Sequence, residues 1–424
     1  MQLAREVSLL GAVFMGLGSI LGSGVFVTLG LAAGVTGWSM PLALLLAGVV
    51  ATCNGMSTAQ LAASIPRSGG TYEYGYELLS PSFGFAAGIL FLAAKSASAA
   101  TAALGFGYYF VEFFDLTISS WLVSVTALLL LGAIALAGIQ KSARINTVIV
   151  SLTILSLLVF VLGLLPKTFL ANTTFPNSSG DDFLVGGFSG FAEATALLFV
   201  AYTGYGRVAT LGAEIREPEK NIPKAVILTL GISFLFYALI SWTSLALVGP
   251  KEYASLSETG AASLLNIAQT YSGQGLRTVI AMGALTALLG VLFNLILGLS
   301  RVVFAMAGRG DLPARLSQIH SVNRAPSAAT VLVIIVIFAL VSLKDISLAW
   351  SFSAFTVLSY YGLTNAAALR LPAERRLYPR FLAWLGLFSC LSLAFFISYQ
   401  VILSGLILLS MAFFLRNLYK RWIS

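Results

Sequence analysis

At 424 residues, 58% hydrophobic and only 9% charged, the chain lacks the charged surface of a water-soluble domain, where roughly a quarter of residues carry charge. Its formal net charge is +8, yet the basic residues lie between apolar runs, which reads as a membrane-topology signal and excludes a nucleic-acid surface. One histidine and two cysteines without ligand spacing leave no metal or disulfide signature.

Apolar runs of about 18 residues or more recur along the whole chain, each long enough to cross a hydrocarbon core. They predict an all-α integral membrane protein of about twelve spans. The first five lie near 8–34, 39–63, 84–111, 117–138 and 145–165. The next five lie near 188–212, 225–248, 277–307, 327–343 and 346–369, and the last pair near 380–397 and 401–416. The first run is too long for a cleavable signal peptide. Cys53 and Cys390 fall inside apolar runs, as small buried side chains do. Lys141, Arg144, Arg216, Lys220, Lys224, Arg309, Arg315, Arg375, Arg376 and Arg421 gather on the side of the N-terminus. Only Lys167, Lys251, Arg277 and Lys344 fall on the other side. The positive-inside rule then places both termini in the cytoplasm, in a multi-pass protein of the plasma or bacterial inner membrane.

The spans group as a first five-helix repeat (1–166), a second five-helix repeat (187–370), and a C-terminal helix hairpin with a basic tail (378–424). Five is odd, so the two repeats are expected to be inverted relative to each other in the bilayer. The stretch 167–187 is a polar external linker, and the loop 249–276 is long enough for a short lid.

The first span carries "GSILGSGVF" (18–26), and the sixth carries "GYG" (204–206). Glycine weakens a helix, and a break inside a membrane frees backbone groups that water cannot reach. Glycine clusters are also common packing faces between membrane helices, which would explain either stretch alone. Two interruptions at corresponding places in two halves point instead to a transporter site at the bilayer midplane. A dinucleotide loop fits poorly, because G-x-G-x-x-G is not matched and no strand precedes it. The amides of Ser23, Gly24 and Val25 open a half-helix at its positive end, where a carboxylate binds. The carbonyls of Ile20, Leu21, Val200, Ala201 and Tyr202 would face a cation or an ammonium. An α-amino acid zwitterion carries both charges on one carbon and matches both ends.

Further polar residues lie within the spans. Lys95 sits about eleven residues into the third, near the midplane, where a cationic side chain costs about 3 kcal/mol. It reads either as a structural lysine bonded to the carbonyls of a broken helix or as a coupling group that releases and regains a proton. Arg207 follows the second break with Glu214 two turns along, and reads either as a structural or gating ion pair or as a pathway group facing the substrate. Glu193 is expected near the outer surface. Ser96, Ser98 and Thr101 form a small polar stripe, and Thr286 could lend a hydroxyl to a sodium site. His320 reads as a surface residue.

Three of these stretches resemble the amino-acid permeases of the amino acid–polyamine–organocation (APC) superfamily. "GSILGSGVF" is similar to their first-helix signature. "FVAYTGYGRVATLGAEIREPEKNIPKAV" (199–226) resembles their sixth helix and the linker that follows. "SRVVFAMAGRGDLPARLSQIH" (300–320) resembles the end of their eighth helix. The resemblance covers about residues 1–370. It implies a five-plus-five inverted-repeat fold with broken helices one and six, and alternating access. By it, the α-carboxylate would sit at Ser23 and Gly24, and the α-amino group at the carbonyls of Ile20, Val200 and Ala201, with Thr203 and Gly204 beside the substrate. The chain departs from the pattern at three places. Thr153 stands where many members carry a coupling lysine, Gly206 where an acidic residue is often found, and Val200 where a bulky aromatic often gates the site.

The expected function is secondary active transport of amino acids, neutral ones in particular, coupled to protons or run as an exchange. The alternative is a sodium-coupled or uniport carrier of another small organic solute, such as an amine or nucleobase. No cofactor is expected beyond a coupling H+ or Na+. The only partners indicated are the amino-acid substrate and the lipid bilayer, with no accessory subunit. An intramembrane enzyme would need a cluster of His, Asp, Glu or Ser at one depth, and a channel would not need paired broken helices; neither is indicated.

Overall fold

A computed structural model describes residues 7–65, 69–138, 143–170, 183–210, 215–258, 262–318 and 326–423. Among them the chain forms helices throughout, and the single extended pairing is one bridge between Val7 and Ile215. This is the outcome expected of a chain that must satisfy its backbone polar groups within each apolar segment.

The first apolar run forms α1 (Leu9–Ile20), a turn, a π-helical stretch (Gly24–Thr28) and α2 (Leu29–Thr36). Helix α3 (Met40–Ser64) crosses back, and a short helix, α4 (Thr71–Leu78), lies between it and α5 (Pro81–Phe113). Ser80 caps α5, its hydroxyl accepting from the Phe83 amide, and Pro81 occupies the first turn, where its missing N–H costs nothing. Next come α6 (Ser120–Leu136) and α7 (Ala143–Thr168). The second broken run forms α8 (Gly187–Tyr202), a 3-10 turn (Thr203–Tyr205) and α9 (Gly206–Thr210). Helix α10 (Pro218–Glu258) is interrupted at Gly249, whose φ of 75° only glycine adopts easily. It is followed by α11 (Ser263–Ser272) in the loop expected to form a lid. The rest of the bundle is α12 (Gln274–Gly308), α13 (Ser327–Val341), α14 (Ile346–Arg370), α15 (Arg380–Ala394) and α16 (Tyr399–Ile423).

Among the described residues, six helical stretches are long and apolar enough to span a bilayer, and α6, α13 and α15 are apolar but shorter. Leu130, Leu162, Phe388 and Phe414 point outward from the bundle, as on a lipid-facing surface. The interior is built on small residues. Ala97, Ala99, Ala100, Ala102 and Ala103 of α5 are fully buried, which lets α12 and α14 pack closely on either side. One face of the bundle gathers the ends of several helices. There Arg216 N–H donates to the Val7 carbonyl (3.0 Å), the Ser64 hydroxyl to the Arg375 carbonyl (3.1 Å), and Ala314 N–H to the Tyr419 hydroxyl (3.0 Å). Both described ends of the chain reach this face, here called the terminal face.

Candidate substrate site

The two helix breaks meet in the middle of the bundle. Helix α1 ends where Leu21 leaves helical geometry (φ −79°, ψ 66°), and the Gly22 amide folds back onto the Ile20 carbonyl (2.9 Å). Gly204 approaches this turn so closely that a Cβ on it would lie within 2.6 Å of the Ser19 carbonyl oxygen. Side-chain bulk at 204 would therefore push the two breaks apart.

Between the breaks lies a cavity of about 160 Å³. Ser19, Ile20, Ser23 and Gly24 line it from the first break, and Val200, Ala201, Thr203, Gly204, Gly206 and Arg207 from the second. Helix α5 adds Phe91, Lys95 and Ser98; α12 adds Asn294 and Arg301 among others; α14 adds Trp350, Tyr360 and Tyr361. Toward the terminal face the lining reaches Gly69, Tyr72 and the exposed Arg301. At the other end Trp350 is fixed, its indole N–H donating to the Leu197 carbonyl (3.1 Å). The charged lining residues described are Lys95, Arg207 and Arg301, with no carboxylate among them.

Lys95 reaches the second break, its ammonium donating to the Thr203 hydroxyl (3.2 Å). That hydroxyl in turn donates to the Val200 carbonyl (2.8 Å), which also accepts the Thr203 amide. The tyrosine at 237, on α10, was not singled out from the sequence. Its hydroxyl lies 2.8 Å from the Ile20 carbonyl and 3.1 Å from that of Ala201, and it donates to one of them at a time. The Ile20, Val200 and Ala201 carbonyls, expected to await an ammonium, thus already have protein donors. A polar ring in the otherwise apolar "SFLFYALIS" is the sequence signal for Tyr237. Tyr361 donates to the Thr203 carbonyl (3.4 Å), and Asn294 donates to Asn146 (3.4 Å), which reaches the Phe14 carbonyl of α1 (3.2 Å).

Several expected residues lie elsewhere. Val25 does not line the cavity; it is buried, and its amide is taken by the Gly22 carbonyl (3.1 Å). Tyr202 turns away from the cavity and packs on Tyr237, ring centroids 5.1 Å apart. The Thr153 hydroxyl is bonded to the Ile149 carbonyl of its own helix (2.9 Å). Thr286 likewise bonds Met282 (2.7 Å), two turns before Asn294, which does line the cavity. Hydroxyls in apolar helices satisfy themselves on the preceding turn, and only the bundle decides which face the ligand. Glu214 and His320 lie outside the described residues.

Comparison with known proteins agrees with this architecture. The family model described as "Amino acid permease" matches residues 11–422. An uncharacterized transporter of Mycobacterium tuberculosis is 38% identical over 407 residues, covering 95% of this chain and 89% of its own. A serine/threonine exchanger of Bacillus subtilis is 28% identical over 386 residues (89% and 86%), and a branched-chain amino acid permease of the same organism is 25% identical over 354 (78% and 72%). A match of this extent, on a bundle of apolar helices, settles the family: the chain is a multi-pass membrane transporter belonging to the amino acid permease family.

Proposed function

We propose that the chain is a secondary active transporter of neutral α-amino acids, working by alternating access on a five-plus-five inverted repeat, with both termini cytoplasmic. The observation that carries this reading is the juxtaposition of the two helix breaks around one cavity, with Lys95 bonded across to Thr203. The substrate carboxylate sits against Ser23 and Gly24, at the positive end of the second half of the first broken helix. Its ammonium displaces a protein donor from the Ile20, Val200 or Ala201 carbonyls. A cationic side chain would meet Lys95 and find no carboxylate among the described lining residues, which disfavours cationic substrates. The cavity reaches toward the terminal face, which fits a state facing the cytoplasm.

Lys95 is the proposed coupling group. It stands at the second break, where a change in its charge alters the Thr203 contact and so bears on the substrate site. The test is uptake by proteoliposomes of each of the twenty L-amino acids, with and without an inward proton gradient and in exchange mode. A neutral amino acid is expected to accumulate with the gradient, and Lys95→Met to lose that dependence while still exchanging substrate. Gradient-driven accumulation by Lys95→Met would refute the coupling role, and inactivity toward every amino acid would refute the substrate class.

A further inference from the structure

Helix α16 lies outside the two proposed repeats and is mostly lipid-facing, with Leu403, Leu406, Ile407, Met411, Phe414, Leu415 and Leu418 exposed. Arg416 breaks this pattern: it is only 7% exposed and turns into the bundle. Its guanidinium donates to Asp311 from Nε (2.8 Å) and lies 2.7 Å from the same oxygen through Nη2. Nη2 also donates to the Tyr76 hydroxyl (2.9 Å), and the guanidinium stacks 4.5 Å above the Phe85 ring. Asp311, 2% exposed, is the hub of the cluster. Its other oxygen accepts the Tyr72 hydroxyl (2.9 Å) and the Tyr76 hydroxyl, both from α4. Beside Asp311 the Tyr76 phenol is pushed up to about 12, chiefly by burial and by its bond to the carboxylate, so it stays a donor throughout the neutral range.

Helix α4 is held at further points. Arg309 pairs with Glu73 (2.8 Å) and lies over the rings of Tyr72 and Tyr76, and the Thr71 hydroxyl bonds that of Thr364 (2.7 Å). Tyr72 has a second face, which lines the terminal-face end of the cavity near Ala305. A chain of contacts therefore runs from the last helix through Arg416 and Asp311 to a residue on the cavity wall. An apolar side chain would anchor α16 equally well against its neighbours. A buried ion pair offers direction instead, because it holds only while both partners keep their geometry.

We propose that Asp311 and Arg416 are positioning residues for Tyr72, and that Tyr72 is the rim of the cavity at the terminal face, so that the last helix sets how far the mouth opens. Here the clamp holds Tyr72 inward and the mouth narrow; releasing it frees the ring and exposes the wall behind it. The inference rests on the proposed transport site, but its test needs no substrate. A cysteine is placed at Ala305, on the cavity wall, and the parent chain with buried Cys53 and Cys390 supplies the background. Its rate of reaction with a charged maleimide is measured in detergent on protein checked by thermal melting. Arg416→Gln and Tyr72→Phe are each expected to speed labelling about fivefold or more, the range of a typical coupling between sites. Arg416→Lys, which keeps the charge, is expected to fall between them and the parent. Tyr72→Phe removes one hydroxyl and decides the matter alone if Arg416→Gln does not fold. Unchanged or slower labelling in folded Tyr72→Phe overturns the proposal. So does a lowered melting point in Arg416→Gln without faster labelling. Failure to transport any amino acid would leave this labelling result standing and would refute only the substrate reading.

Discussion

Glycine at 24 is a steric requirement as much as a conformational one. A Cβ there would overlap the Tyr237 hydroxyl and lie 3.0 Å from the Ala201 Cβ, wedging the breaks apart. Gly24→Ala is expected to lower initial uptake in proteoliposomes about fivefold or more, since overpacking of this kind costs about 1–3 kcal/mol. Adding Tyr237→Phe should recover part of the loss by removing the overlapping atom, and a double mutant no better than Gly24→Ala would contradict the contact. Thr203 makes a second test: it is the described partner of Lys95, and Thr203→Val leaves the ammonium facing a methyl group. Thermal melting should report about 1–3 kcal/mol of lost stability, with Thr203→Ser near the parent. The glycines were legible in the sequence because a weak helix former inside a membrane span is conspicuous by itself. Tyr237, Asn294 and Trp350 were not, because each acts through a partner remote in sequence: Ile20, Asn146 and Leu197. Lys95 was visible as a charge at depth, but its alignment with Thr203 depends on how α5 packs on the break.

Among the elements, the long apolar helices were readable from hydropathy, and their breaks from glycine. The short helices α4 and α11 were not, since eight or ten residues leave too little pattern; only the length of the second loop hinted at a lid. Register between helices is also invisible in one dimension: nothing in the sequence of α12 says that Asn294 lines the cavity while Thr286 bonds its own helix. Close packing makes that register testable. A Cβ on Gly283 of α12 would overlap the Ser156 side chain of α7. Gly283→Ala gains about 1 kcal/mol of helix propensity if nothing stands in the way. The structure predicts the opposite sign, a lower melting point, because the Ser156 Cβ sits on a helix that cannot yield easily. Ser156→Gly should relieve the clash, so the double mutant should melt above Gly283→Ala. Melting of Gly283→Ala above the parent would show that α7 and α12 are not in this register.

For the whole molecule, the distribution of charge bears on which membrane face the cavity addresses. The terminal face carries Lys220, Lys224, Arg309, Arg315, Arg375, Arg376 and Lys420 among its described residues. The opposite face carries Lys167, Lys251, Arg277 and Lys344, and Arg277 is drawn into the bundle by Asp115 (3.1 Å) and the Glu112 carbonyl (2.5 Å). Each basic residue near an anionic cytoplasmic leaflet contributes about 1 kcal/mol, so this asymmetry strongly favours one orientation. Exposed Arg375 and Lys251 mark the two faces. With a membrane-impermeant maleimide on intact cells, Lys251→Cys is expected to label and Arg375→Cys to stay unreacted; inside-out vesicles should reverse the pair. The same orientation fixes the meaning of the cavity. If Arg375→Cys labels only from the cytoplasm, the cavity wall at Arg301 and Tyr72 belongs to a substrate-releasing state, and Ala305→Cys must also react from that side. Labelling of Ala305→Cys from outside would place the opening on the opposite face and overturn the inward-facing reading.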